Sequence, residues 1–112
     1  MEILFKNKRM KNEFNDSNLL IRSYGIRRAQ VIIQRLGQLS SAIVLEDIRN
    51  LSGPHCHELK QNRKGQLAVY LDHPYRLVFE PADDPIPFKA DGCLDWSRTT
   101  SIRVLEVINY HD

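Results

Sequence analysis

The chain is 112 residues long, enough for one domain and short for two. At 42% hydrophobic and 27% charged it has the balance of an ordinary globular protein, and no apolar run approaches the roughly 18 residues that a bilayer-crossing helix needs. Net charge is only +2, but residues 1–40 carry eight Lys or Arg against three acids while the remainder carries eight against eleven. A basic N-terminal half attracts a polyanion or an acidic partner, or simply presents a solvated helix face. Cys56 and Cys93 are too few for a disulfide framework and fit a reduced, cytoplasmic chain. The opening "MEILFKNKRM" lacks the apolar core of an export signal.

In chain order, "EILF" reads as a short first strand and "KNKRMKNEFND" as a short helix or turn. Asp16 or Ser17 can cap a helix over "NLLIRSY", which Gly25 interrupts. In "IRRAQVIIQRLGQL" the steps of three and four between Ile26, Ala29, Ile33 and Leu36 predict an amphipathic helix, with Arg27, Arg28, Gln34 and Arg35 on its solvent face. "SSAIVLEDIRNL" reads as a short helix or turn ending before Ser52-Gly53-Pro54. Beyond Pro54 the period changes to two. "QLAVYLD" puts Leu67, Val69 and Leu71 on one face, His73-Pro74 marks a turn, and "YRLVFEP" completes an antiparallel hairpin. Residues 81–98 hold three of the five prolines and form a long loop, functional or mobile, before a last strand in "TSIRVLEVINY". A strand, then helices, then three strands predict an α+β domain spanning 1–112, its helices on one face of a mainly antiparallel sheet.

Two chemistries compete for the stretch "HCHELKQNRKGQLAVY". A metal site would draw on His55, Cys56, His57, His73, Cys93 and His111, but neither the CxxC nor the HxxxH spacing of zinc ligands occurs. No metal or other cofactor is therefore expected. Phosphate-cradling glycine motifs are absent too. The basic reading is stronger. Lys60, Arg63 and Lys64 fall within five residues, and Arg76 sits in the partner strand of the hairpin. Clustered cations beside Tyr and His are what RNA phosphate binding and acid–base chemistry on a ribose require. A solvated, charged hairpin is the plain alternative.

"HELKQNRKGQLAVYLDHPYRLVFE", together with the ending "LEVINYHD", resembles the HigB branch of the RelE/ParE toxin superfamily. The family pattern is approximately H-x-L-K-G-D-R-x-G, a strand with W/Y-R-[IL]-x-F, and an ending D-Y-H. His57, Leu59, Lys60, Arg63, Gly65, Tyr75, Arg76, Phe79, Tyr110 and His111 supply it in order. The resemblance implies a RelE-like fold and the toxin of a type II toxin–antitoxin pair, a metal-independent endonuclease of ribosome-bound mRNA. Its partners would be ribosome, mRNA and a cognate helix-turn-helix antitoxin, with no membrane involved. It implies catalytic roles for His57, Lys60, Arg76, Tyr110 and His111, and RNA contacts for Arg63 and Lys64. Arg27, Arg28 and Arg35 would face ribosomal RNA or the antitoxin. The chain departs from the pattern at Gln61-Asn62, where Gly-Asp is usual, at Leu67, where an aromatic is usual, and at Asn109, where Asp is usual. If those departures abolish catalysis, the same fold would serve as a binding module that pairs with an antitoxin and regulates its operon. A gyrase-poisoning toxin of the ParE branch would have no use for His57, Lys60 and Tyr110-His111.

Overall fold

The computed structural model describes residues 1–110. Strand β1 (Glu2–Phe5) is followed by helices α1 (Lys8–Phe14), α2 (Ser17–Tyr24) and α3 (Ile26–Ser41). Strands β2 (His57–Glu58), β3 (Leu67–Tyr70), β4 (Tyr75–Pro81) and β5 (Ser101–Asn109) complete one sheet in the order β1-β5-β4-β3-β2. The predicted α+β arrangement holds, with two additions. The two-residue β2 extends the hairpin at one edge, and β1 joins β5 in parallel at the other.

Caps define the helices as the sequence suggests. The Asp16 carboxylate accepts from the backbone N–H of Asn18 and Leu19 at the start of α2. Gly25, at φ +82°, ends α2 and begins α3 in a conformation that favours glycine. The α3 stripe differs from expectation. Ala29, Ile32 and Leu39 are buried, whereas Ile26 and Ile33 are 63% and 46% exposed. Core contact therefore runs one position earlier in the Ile32-Ile33 pair, and it takes in Arg35, expected on the solvent face but only 9% exposed.

Leu67, Val69 and Leu71 of the hairpin join Leu77, Phe79, Ile102 and Val104 beneath the helices, as their parity predicts. Leu59, Ala68 and Val78, with Leu105 and Ile108, form a smaller apolar cluster on the helix-free face. The 81–98 loop is tethered. Asp83 accepts from the N–H groups of Thr100 and Ser101 and from the Thr100 hydroxyl, Phe88 bridges Leu94, and Trp96 is buried. Burial by itself would raise the Asp83 pKa, but these hydrogen bonds together outweigh it and hold the carboxyl below its ordinary value.

The observed stripe on α3 sets an expectation for two adjacent isoleucines. Ile32→Ala should destabilise the protein by about 3 kcal/mol, the usual cost of a core cavity, and Ile33→Ala by about 0.5 kcal/mol. Urea unfolding of the two variants checks the assignment. Equal costs would contradict it.

Candidate functional site

The site is built on the helix-free face, and one irregularity of the sheet places half of it. Val104 lies in the core beneath the helices, so strict alternation along β5 would send residues 106, 108 and 110 to that same face. Between Val78 and Phe79 the β4–β5 register shifts: Val78 pairs with Glu106 but Phe79 with Val104. This bulge resets the parity. Val107 then packs in the helix-side core, and Ile108 turns to the other face beside Arg76, its register partner. Tyr110, two residues on, follows Ile108.

The hairpin supplies the other half. Arg76 pairs with Tyr70 across β3–β4, and His57 pairs with Ala68, which puts His57, Tyr70 and Arg76 on one face. The Arg76 guanidinium lies 3.8 Å over the Tyr70 ring and 5.8 Å from the Tyr110 ring. It is 6% exposed, donates to the neighbouring Tyr75 carbonyl at 3.0 Å, and meets no carboxylate among the described residues. The His57 ring stands edge-on to Tyr70 at 6.1 Å, and His55 stacks flat on Tyr70 at 4.7 Å. The His57 Nδ1 lies 2.7 Å from the His55 carbonyl oxygen. A carbonyl only accepts, so Nδ1 carries the proton and Nε2 is left to act as base or acid.

His57, Lys60, Gln61 and Tyr110 line one cleft of about 340 Å³. The structure thus brings together four of the five residues singled out for catalysis: His57, Lys60, Arg76 and Tyr110. The fifth, His111, lies outside the described residues.

The supporting cations divide. Arg63 reaches Gln66 at 2.9 Å and Glu106 at 3.4 Å, the latter on the helix-free face. Lys64 instead lines a separate cleft with Phe88, Cys93 and Leu94. Arg27 is exposed. Arg28 binds Asp72 at 3.0 Å and lies 3.4 Å over the Tyr75 ring. Arg35 is no surface contact. Its Nε donates at 2.6 Å to the carbonyl of Tyr70, the last residue of β3, and its Nη1 to Gln38 at 3.1 Å. Burial lowers its pKa without depriving it of charge. Among the described residues no three of His, Cys, Asp and Glu gather as a metal would require. Burial pushes the Cys56 thiol up to about 12, so it stays protonated at neutral pH.

Tyr70 escaped the sequence reading, although it carries contacts to His55, His57 and Arg76. The signal was present in the hairpin register, which sets Tyr70 opposite Arg76. Gln61 is informative as well. It stands where the family pattern has Gly, and its φ is +58°, in the left-handed region that favours glycine.

Two toxins are among the solved structures that share this architecture. The YoeB/ParE toxin from Agrobacterium tumefaciens has a TM-score of 0.57 at 9% identity, covering 99% of this chain and 100% of that one. YoeB of the Staphylococcus aureus dimer has a TM-score of 0.54 at 18% identity, covering 100% and 98%. No family model matches the chain. No curated protein sequence matches it either. At these identities the likeness is one of fold, and the fold is the RelE-like one that the motifs imply.

Two outcomes follow from the local geometry. Arg35→Met removes a charge-assisted hydrogen bond to a partly buried carbonyl and should cost about 2 kcal/mol, whereas Arg27→Met, on the exposed face, should stay within about 0.5 kcal/mol. Denaturant midpoints compare them, and equal effects would place Arg35 outside the core. Gln61→Gly relieves a left-handed backbone but frees the unfolded chain, for a net gain of about 0.5 kcal/mol. A loss of stability in calorimetry would contradict that account of the turn.

Proposed function

We propose that this chain is the toxin of a type II toxin–antitoxin pair and cleaves ribosome-bound mRNA without using a metal. The observation that carries the reading is the meeting of Arg76, a buried cation with no carboxylate partner among the described residues, with His57, Lys60 and Tyr110 on one face. The fold shared with the two toxins and the resemblance to the HigB branch support it.

In this reading the ribose 2′-OH attacks the adjacent phosphorus and the P–O5′ bond breaks, leaving a 2′,3′-cyclic phosphate and a free 5′-OH. His57 Nε2 takes the 2′-OH proton, since Nδ1 is held by the His55 carbonyl. Arg76 and Lys60 offset the charge that builds on the phosphate, and Arg76 can give two parallel hydrogen bonds. A proton must reach the leaving 5′ oxygen. Tyr110 lines the same cleft as His57, and the family pattern assigns His111 to this end of the chain. Arg63 lends positive charge beside the site while partly offset by Glu106.

The ribosome has a physical part in this scheme. Binding to free RNA grows with each Lys or Arg that displaces a counterion. A site with three such groups, Lys60, Arg63 and Arg76, on a chain of net charge +2 is a weak grip at physiological salt. Held mRNA would supply the in-line geometry that a small protein does not impose. The cytoplasm follows as the place of action. A helix-turn-helix antitoxin would silence the chain, and the basic α1–α3 layer is a surface for such a partner or for ribosomal RNA.

The test is a cleavage assay on one defined mRNA, with and without programmed ribosomes, in the presence of a zinc-selective chelator at constant magnesium. Wild type should cut only ribosome-bound message and leave cyclic phosphate ends. Arg76→Ala should slow cutting at least 100-fold while its unfolding midpoint shows a folded protein. No cutting by wild type would favour the non-catalytic binding module. Efficient cutting of free RNA would remove the ribosome requirement, and loss of activity with the chelator would revive a metal at His55 and His57.

A further inference from the structure

A nuclease acting on a chain must accommodate what flanks the broken bond as well as the bond itself. His57 is the shared wall of two clefts. One is the cleft with Lys60, Gln61 and Tyr110. The other, of about 330 Å³, is lined by Arg49, Asn50, Ser52, His55, His57 and Tyr70. We infer that this second cleft receives a nucleobase adjacent to the cut bond and that Asn50 selects which base. The inference rests on reading the first cleft as a ribonuclease site.

Three observations carry it. The first is a stacking platform. His55 lies parallel to Tyr70, with the rings 15° apart and their centroids at 4.7 Å. Tyr70 covers one face of the imidazole, yet His55 as a residue is exposed, so the stacked pair stands at the surface where a flat ring can reach it. Its backbone holds φ +48°, a conformation that a side-chain-bearing residue adopts at a cost. Flat, exposed rings in a groove are how proteins hold unpaired RNA bases.

The second is charge. Arg49 does not offer its guanidinium to a phosphate: it lies 3.9 Å over the Trp96 ring and is ion-paired with Glu46. Cys56, in the same wall, stays neutral. The second cleft is therefore suited to an uncharged base, while Lys60 lines the first and Arg76 lies between the two, over Tyr70 and toward Tyr110. A polymer crossing His57 would leave its phosphate with the cations and its base with the rings.

The third is the rim. Asn50 and Ser52 are exposed there, with their polar atoms available to a ligand. A carboxamide presents one donor and one acceptor side by side, the arrangement that reads a base edge.

The test measures cutting of ribosome-bound messages that differ only in the nucleotides flanking the cut. Wild type should prefer certain bases at one flanking position. Asn50→Ala should narrow the best-to-worst ratio there by on the order of tenfold, the worth of a lost base-edge contact. Asn50→Asp replaces the donor with a second acceptor and should move the preference toward bases that present an amino group, a change that a merely structural role would not produce. Cutting with unchanged ratios in both variants overturns the base site and leaves the nuclease reading intact. If wild type cuts nothing, the nuclease reading fails, and the base site is judged by itself. The four nucleoside 5′-monophosphates are then titrated while the His55 imidazole resonances are followed by NMR. Shifts that weaken in Asn50→Ala support the site, and no shift with any nucleotide refutes it.

Discussion

The candidate site depends on one extra residue in a strand. β5 serves two masters: its first half must bury Ile102 and Val104 under the helices, and its end must present Tyr110 to the opposite face. A period of two cannot do both from a single register, since a one-residue change of parity moves every later side chain across the sheet. The bulge opposite Val78 and Phe79 resolves the conflict locally. It also explains why Asn109, where the family pattern has Asp, need not disable the cleft. Asn109 pairs with Tyr75, and the Tyr75 ring belongs to the helix side, under Arg28. By the same parity the side chain at 109 is directed away from the face of Arg76, so the missing carboxylate is missing from the other side of the sheet.

Helix layer and site communicate through the backbone of one residue, Tyr70. The Tyr70 carbonyl accepts from Arg35 of α3, and its N–H donates to the Pro54 carbonyl at 2.6 Å. The Arg35 guanidinium in turn lies against Gly53, where an added Cβ would stand 3.6 Å from it. Beyond the short pairing of β2 with β3, these bonds hold the end of β3 and the 52–57 segment together. The ring above them then has a fixed position, with His55 and Arg76 stacked on it and His57 edge-on to it. A core residue thus positions three groups that it never touches.

Much of the fold was legible because its signals are local and redundant. The hairpin shows in the alternation of Leu67, Val69 and Leu71, and the α2–α3 break in Asp16 and Gly25. What stayed hidden was set by tertiary contact. Ile32 and Ile33 are adjacent and chemically identical, so only the approach of the sheet decides which is buried. Arg35 reads as surface because its charge outweighs its position, yet its long stem crosses apolar ground to reach a carbonyl that no local pattern reveals. β2 has two residues, too few for a period. The motif pointed to His57, Lys60, Arg76 and Tyr110, and the structure gathers them; it left out Tyr70, since a tyrosine in a strand is ordinary until its hairpin partner is an arginine. Lys64 is the converse case, near the motif in sequence but turned to another cleft.

The electrostatic singularity of the face is Arg76. Arg28, Arg49, Arg63, Arg98 and Arg103 each meet a carboxylate. Arg35, also buried, meets a carbonyl and a carboxamide. Among the described residues Arg76 has one backbone carbonyl, the face of Tyr70 and, farther off, the Tyr110 ring. Sequestering a cation from water is costly unless an opposite charge or dense hydrogen bonding compensates it, and a ring quadrupole compensates only in part. Under the function proposed above, the phosphate is the anion that completes the arrangement. The same stacking that leaves the charge uncompensated also fixes the guanidinium's plane, so little order remains to be imposed when a phosphate binds. A carboxylate placed beside Arg76 would stabilise the free protein more than a ring does, and it would compete with the phosphate for the same donors. Among the described residues the sheet supplies aromatic rings around Arg76 in place of acids, which favours an anion from outside the chain over one from within.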